Sequence, residues 1–377
     1  MLGILAGVLV ALWIGLLAAP RADAYIYWAS LDGNIGHANV DGTGVENGFI
    51  TGLFAPAGLS VNSSRLYWGT TNGGTTIGRS NTDGTAANPS FIGGTSQAFG
   101  VAVAGSQVYW TNNTAASSSI GRANLDGSAA NPTFIDLGPP SLVNGVAVDA
   151  SHIYWSSAYH HAIQEADLTG NTKGNLLSFG AGTVACCVAV DATHLYWGEF
   201  SGGNGSIGRA NLDGSSPNET FIGGLDRITG LAVYGGHIYW SNSGDRAAVA
   251  NHIGRANVDG TDVNQTFVGV ANPNGLAVDS RGNAVLLRVP RCVSLRICAV
   301  RVHIPDLGRI EFAGKGIRRA ARTATGAGNL KVKLHTRNKL SSALDSHGRA
   351  KVRLRITFTP AGSLPTTVAD KVKLRAP

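Results

Sequence analysis

The sequence predicts an all-β chain, and three observations carry that prediction. Six tryptophans (Trp28, Trp68, Trp110, Trp155, Trp197 and Trp240) each follow a tyrosine. The spacings between them are 40, 42, 45, 42 and 43 residues, and a fixed period in this range marks a propeller or a solenoid. Around each pair recurs one cassette. Its clearest copy is Ile207-Gly208-Arg209-Ala210-Asn211-Leu212-Asp213-Gly214, then Phe221-Ile222-Gly223-Gly224 and Gly230-Leu231-Ala232-Val233. No helical periodicity appears between residues 25 and 285, and short strands at regular spacing argue for β-structure throughout.

Each cassette reads as four strands. The first is the apolar run, as in Gly145-Val146-Ala147-Val148, and the second ends in the Tyr-Trp pair, as in His152-Ile153-Tyr154-Trp155. The third is Ile-Gly-Arg-Ala-Asn-Leu, closed by Asp-Gly, whose glycine supplies the positive φ of a tight turn. The fourth carries Phe91, Phe134, Phe221 or Phe267. The first copy begins at its second strand, Tyr25-Ile26-Tyr27-Trp28, and the last ends at its first, residues 275–278. Joined, the two ends complete a sixth unit and leave no open edge. The expected fold is a six-bladed β-propeller over residues 25–284.

Tyr-Trp, then Ile-x-Arg-x-Asn-Leu-Asp-Gly, then Gly-Leu-Ala-Val-Asp resembles the low-density lipoprotein receptor class B, or YWTD, repeat, over about residues 25–282. That resemblance implies six blades. The family's Thr-Asp after Tyr-Trp is replaced here by Ala29-Ser30, Gly69-Thr70, Thr111-Asn112, Ser156-Ser157, Gly198-Glu199 and Ser241-Asn242. The motif arginine persists as Arg79, Arg122, Arg209 and Arg255, with His37 and Gln164 read as its replacements. The fold is taken from the family and its receptor biology is not.

Residues 1–24 read as a secretory signal peptide, with an apolar run from Leu2 to Ala19 and Ala22-Asp23-Ala24 as a small-x-small cleavage pattern. The other reading is an uncleaved membrane anchor. Either places the rest outside the cytoplasm, secreted or in the cell envelope. Charge divides the chain sharply. Residues 1–285 hold 10 Lys+Arg and 19 Asp+Glu, whereas residues 286–377 hold 20 and 4. A basic region of this strength suggests an anionic partner.

Within residues 285–377, strict alternation at 331–335, 351–358 and 371–375 predicts strands with apolar side chains on one face and cations on the other. Asp345-Ser346-His347-Gly348 and Thr359-Pro360-Ala361-Gly362 read as turns between them. A small immunoglobulin-like β-sandwich is expected, resembling the C-terminal accessory domains of secreted actinobacterial proteins. If its strands join one sheet, Lys331, Lys333, Lys351, Arg353, Arg355, Lys371, Lys373 and Arg375 converge on one anionic-surface-binding face. Cys292 and Cys298 are spaced to close a small disulfide loop. The adjacent Cys186 and Cys187 read either as a vicinal disulfide or as two buried thiols.

Function is sought in the loops. In a four-stranded antiparallel blade, the connections from strand two to three and from four to one open on the same face. Here they vary, whereas the opposite set is short and uniform. Tyr159, His160, His161, Glu199, Phe200, Asp245 and Arg246 are the ligand-binding candidates, with Phe54 beside them. His160 and His161 alternate across a strand, so they make no shared metal site. Asp149, Asp191 and Asp279 read as turn residues. The remaining glycines read as turn glycines. No nucleophile elbow, phosphate loop or zinc motif is present. The expectation is a non-enzymatic binding or scaffold protein without a cofactor. Its propeller recognises a protein or glycan, and its basic domain contacts an anionic wall polymer or lipid surface, with no specific nucleic acid. The alternative is a secreted hydrolase or lyase with a metal at the channel mouth.

Overall fold

The structure is a computed structural model. It describes residues 24–62, 64–113, 117–139, 142–201, 204–242, 251–279, 285–288, 292–294, 296–304, 308–324, 328–360 and 366–376. The expected leader therefore lies outside the described residues except for Ala24.

Among the described residues from Tyr25 to Val278, the chain forms six four-stranded antiparallel sheets, a β-propeller arrangement. In the first, Tyr25–Ser30, Asn34–Asn39 and Glu46–Ile50 are joined by Pro273–Val278 from the far end of the repeat region. The register sets Ile26 against Val278 and Trp28 against Leu276. The first and last sheets also share a core. Ile26, Trp28 and Ala38 pack with Tyr239, Ile253 and Val268.

The repeat explains itself through this packing. In five sheets the Tyr-Trp strand is registered so that tryptophan faces the motif glycine: Trp28 and Gly36, Trp68 and Gly78, Trp110 and Gly121, Trp197 and Gly208, Trp240 and Gly254. The indole lies over the glycine, and all six rings are buried. These glycines are therefore in mid-strand, within the Ile-Gly-Arg-Ala-Asn segment read as the third strand. They leave room for a ring as large as indole to reach the backbone. A second set lies on the innermost strands. A methyl group at Gly100 would stand 2.6 Å from Asn144 O, and one at Gly145 would stand 2.7 Å from Cys187 Cα. Neighbouring sheets meet there backbone to backbone.

The motif arginine latches one sheet to the next. Arg209 lies over the Phe221 ring at 4.0 Å and donates from Nη1 to Val258 O at 2.9 Å. Arg79 and Arg122 repeat both contacts, with Leu125 O and Leu168 O as acceptors. The register corrects one assignment. Tyr154 pairs with Glu165, as Tyr196 pairs with Arg209, so Glu165 occupies the arginine position. Gln164 stands instead at the glycine position, where its Oε1 accepts the Trp155 indole N–H at 2.9 Å. Glu165 is ion-paired with Lys173.

The C-terminal region forms two further four-stranded sheets. One contains Ile297–Ile304 and Gly328–His335, and the other orders Ala320–Ala324, Gly308–Gly314, Arg349–Pro360 and Thr366–Arg375. Their apolar faces share one core, with Val300, Val332 and Leu334 from the first and Phe312, Leu354 and Phe358 from the second. Cys292 and Cys298 are disulfide-bonded at its edge. Asn338–His347 is an α-helix rather than a connection ending in a turn. Leu340 and Leu344, one turn apart, anchor it to the core, and Gly348 at φ 62° ends it as a left-handed cap. No helix among the described residues is long and apolar enough to cross a membrane.

Candidate functional site

The face on which the variable loops open is stiffened by hydrogen bonds between neighbouring connections. Leu53 N donates to Gly33 O at 2.9 Å and Thr71 N to Ala55 O at 3.1 Å. Asn272 Nδ2 donates to both oxygens of Asp32. Around Trp155, Ala158 N donates to Leu142 O at 2.8 Å and Phe179 N to His161 O at 2.7 Å. His161 takes the left-handed conformation, φ 49°, and its Nδ1 lies 2.6 Å from Thr183 O. That contact fixes Nδ1 as the protonated nitrogen, because a carbonyl oxygen only accepts.

On this frame stand exposed apolar side chains. Phe54 is 61% exposed and Tyr159 is 55% exposed. Leu31, Leu142 and Val184 are exposed on the same face. They fall into two groups, each held together by the backbone bonds above. Leu31 and Phe54 sit at the first sheet, and Leu142, Tyr159 and Val184 sit around the fourth and the start of the fifth. Phe200, half-buried, is registered opposite Val184. The His160 ring lies edge-on to Tyr159, with centroids 5.3 Å apart.

The sequence candidates divide accordingly. Tyr159, His160, His161 and Phe200 come together, and Phe54 stands at the other group. Asp245 and Arg246 lie outside the described residues. Glu199 does not join the surface: it is 6% exposed. Its strand runs on to Ser201, and its carboxylate accepts from Trp197 Nε1 at 3.1 Å and Ser206 Oγ at 2.9 Å. Burial raises its pKa above the ordinary carboxylate range. Leu31, Leu142 and Val184 were missed by sequence reasoning, since single apolar residues in loops carry no periodic signal.

The turn aspartates are structural. Asp191 Oδ1 accepts from Thr193 N and His194 N, and its Oδ2 accepts from the Tyr196 hydroxyl at 2.9 Å. Asp149 repeats the pattern, and Asp279 accepts from Tyr25 N and the Tyr27 hydroxyl. Cys186 and Cys187 are thiols with sulfurs 2.7 Å apart, and burial holds the Cys187 pKa well above its ordinary value. Among the described residues, no three of His, Cys, Asp and Glu gather as a metal-holding group.

The eight cations of the basic region do not share one face. Lys331 and Lys333 are exposed on the sheet containing Ile297–Ile304. Lys351, Arg353, Arg355, Lys373 and Arg375 are exposed on the other sheet. Lys371 lies on that sheet's strand Thr366–Arg375, opposite Arg353. The apolar faces meet in the core, so the two groups of cations lie on separate outer surfaces.

With this geometry in view, residues 236–280 match the family model described as low-density lipoprotein receptor repeat class B. The chain resembles the crystal structure of a nidogen/laminin complex, with TM-score 0.55 and 16% identity over 69% of this chain and 100% of that one. It also resembles a putative TolB from Agrobacterium tumefaciens, with TM-score 0.47 and 13% identity, covering 68% of this chain and 91% of that one. No curated protein matches the chain. The nidogen/laminin likeness supports the β-propeller fold, and the family match supports a YWTD-type repeat at residues 236–280.

Proposed function

We propose that the chain is an extracytoplasmic binding protein. Its six-bladed propeller presents the variable-loop face to a protein or glycan, and its C-terminal immunoglobulin-like sandwich holds it at an anionic surface. The carrying observation is the pair of exposed apolar groups on one hydrogen-bonded loop face. Large side chains left in water on rigid connections mark interaction sites. Aromatic anchors such as Phe54 and Tyr159 dominate binding energy once desolvated. In a ring of six, the first and fourth blades lie across from each other, so a partner touching both groups would span the channel mouth.

The test is photo-crosslinking of the full chain, in its native envelope fraction, from a probe at position 142, which is exposed on the same face. Phe54→Ser with Tyr159→Ser should abolish the crosslinked species. Val45→Ser with Val263→Ser, which alters exposed valines on the opposite face, should leave it intact. Equal loss from both pairs, or from neither, would remove the loop face as the binding surface.

A further inference from the structure

We propose that the outer surface of the sheet formed by Arg349–Pro360 and Thr366–Arg375 is a docking strip for a linear, phosphate-bearing polyanion. The proposal rests on the anionic-surface reading and names its ligand.

The strip is defined by register. Arg349 faces Arg375, Lys351 faces Lys373 and Arg353 faces Lys371. Arg355 continues the column. Between these residues Ala350, Val352, Leu354 and Ile356 turn inward and are buried. Like charges directly opposite each other on a sheet are destabilising, yet here three such pairs follow in succession. Alternating the sign would relieve them at no cost to the core. Among the described residues, none of the exposed cations on the strip is in an ion pair. The sheet's ion pair, Arg309 with Glu311, sits on the adjacent strand, where Glu311 is registered against Thr357, beyond the end of the ladder.

The spacing selects the ligand's form. Rungs two residues apart recur every ~7 Å along the strand, and directly opposed residues are about 5 Å apart. From Arg349 to Arg355 the strip is roughly 20 Å long. An extended polymer with regularly repeating charges would meet two cations at each of three rungs and one, Arg355, at the fourth. Sheets twist, and a flexible chain can follow that twist where a flat bilayer cannot. Peripheral membrane binding also buries apolar side chains, and none of the exposed large apolar side chains among the described residues is on this surface. Single-stranded nucleic acid is gripped through aromatic stacking, and the aromatic side chain of this strand, Phe358, is buried in the core. Arginine, at 349, 353, 355 and 375, offers the bidentate fork that fits phosphate oxygens.

The experiment uses the full chain with end-labelled long-chain inorganic polyphosphate, tripolyphosphate, and vesicles of phosphatidylglycerol in phosphatidylcholine. Long polyphosphate should bind more than tenfold tighter than tripolyphosphate, which is too short to fill the strip. Its log affinity should fall with log salt at a slope on the order of −5, from about 0.7 per neutralised charge over the seven cations of the strip. Lys351→Gln, Arg353→Gln and Lys373→Gln together should weaken binding at least tenfold and flatten the slope by about 2. Lys331→Gln with Lys333→Gln, on the other sheet, should change nothing. The strip variant should melt no lower than the parent, because it relieves repulsion, so lost binding cannot be attributed to unfolding. Unchanged binding by the strip variant would overturn the proposal. Vesicle binding without polymer binding would also overturn it, while leaving the anionic-surface reading standing. If neither probe binds, both readings fall.

Discussion

Gly208→Ala should destabilise the propeller, although alanine ordinarily suits a strand better than glycine does. A methyl group at position 208 would stand 2.5 Å from Trp197 Nε1, and closer still to Cε2 and Cζ2. Ordinary carbon contacts begin near ~3.5 Å, so the indole must shift by about 1 Å or more. It has nowhere convenient to go. Trp197 is fully buried, stacked on Phe179 at 5.5 Å, and bonded through Nε1 to Glu199. Overpacking of this kind costs about 1–3 kcal/mol, and weakening a hydrogen bond to a charged group adds about 1.5–3 kcal/mol. The substitution also stiffens the unfolded chain, which offsets about 0.4–1 kcal/mol. The net expectation is a loss of roughly 3 kcal/mol. Gly223→Ala is the control, since nothing lies within 4 Å of a methyl group there. It should be neutral or stabilising, by up to about 1 kcal/mol. Urea unfolding followed by far-ultraviolet circular dichroism gives the midpoint of the propeller transition for each. A Gly208→Ala midpoint no lower than that of Gly223→Ala would refute the ring-over-glycine account of the repeat.

Three further outcomes are expected. Deleting residues 25–34 should lower the propeller's melting temperature by many degrees, because Pro273–Val278 loses its partner strand and two sheet edges open; melting like the parent would show that the ends do not close the repeat region. Gly198→Ser should cost about 1–3 kcal/mol by overpacking, since its Cβ would lie 2.6 Å from Cys187 Sγ. Adding Cys187→Gly should recover most of that, and strictly additive losses would count against the pairing. Glu199→Gln should flatten the pH dependence of stability. Burial raises the folded pKa of Glu199, so the native state holds a proton that the unfolded chain releases above about pH 4.3. Stability therefore falls as pH rises from there through the folded pKa, and an unaltered slope in the glutamine variant would assign that dependence elsewhere.

Much of the repeat was legible because its signals are local. The Tyr-Trp pairs, the Asp-Gly turns and the alternation at 351–358 each announce a strand or its end. What was not legible depends on register. Nothing within Ile163-Gln164-Glu165 tells which residue faces Tyr154; the pairing with Trp155 and its neighbours decides that. The same holds for Glu199. The sequence reading ended its strand at Trp197, whereas the structure carries it to Ser201 and turns the carboxylate inward. The helix Asn338–His347 escaped notice because only Leu340 and Leu344 are buried along it, too few to show a period. The cation ladder was half visible. Alternation gave the exposed faces, but the division between two sheets required the long-range pairing of Arg349–Pro360 with Thr366–Arg375.

The departures from the repeat show where constraint comes from inside the chain and where it does not. Gln164 replaces a glycine and takes up the Trp155 indole N–H. Glu165 replaces an arginine and pairs with Lys173. His37, in another arginine position, stacks between Tyr25 and Phe49 and pairs with Glu46. Leu176 packs against the turn at Gly214, where the other sheets use phenylalanine. Cys187 fills space left by Gly198, where Ser156 and Ser241 bond the inner strands in two other sheets. Each interior exception is matched by a neighbour that accommodates it, as close packing requires. Phe54 and Tyr159 break the pattern differently. Both are large, both stand in solvent, and neither is buried against a compensating partner in the fold. Burying such a side chain is worth about 1.5–3 kcal/mol, a gain the fold leaves untaken at both positions. Under the proposed function, that gain is taken up by a partner that buries both side chains.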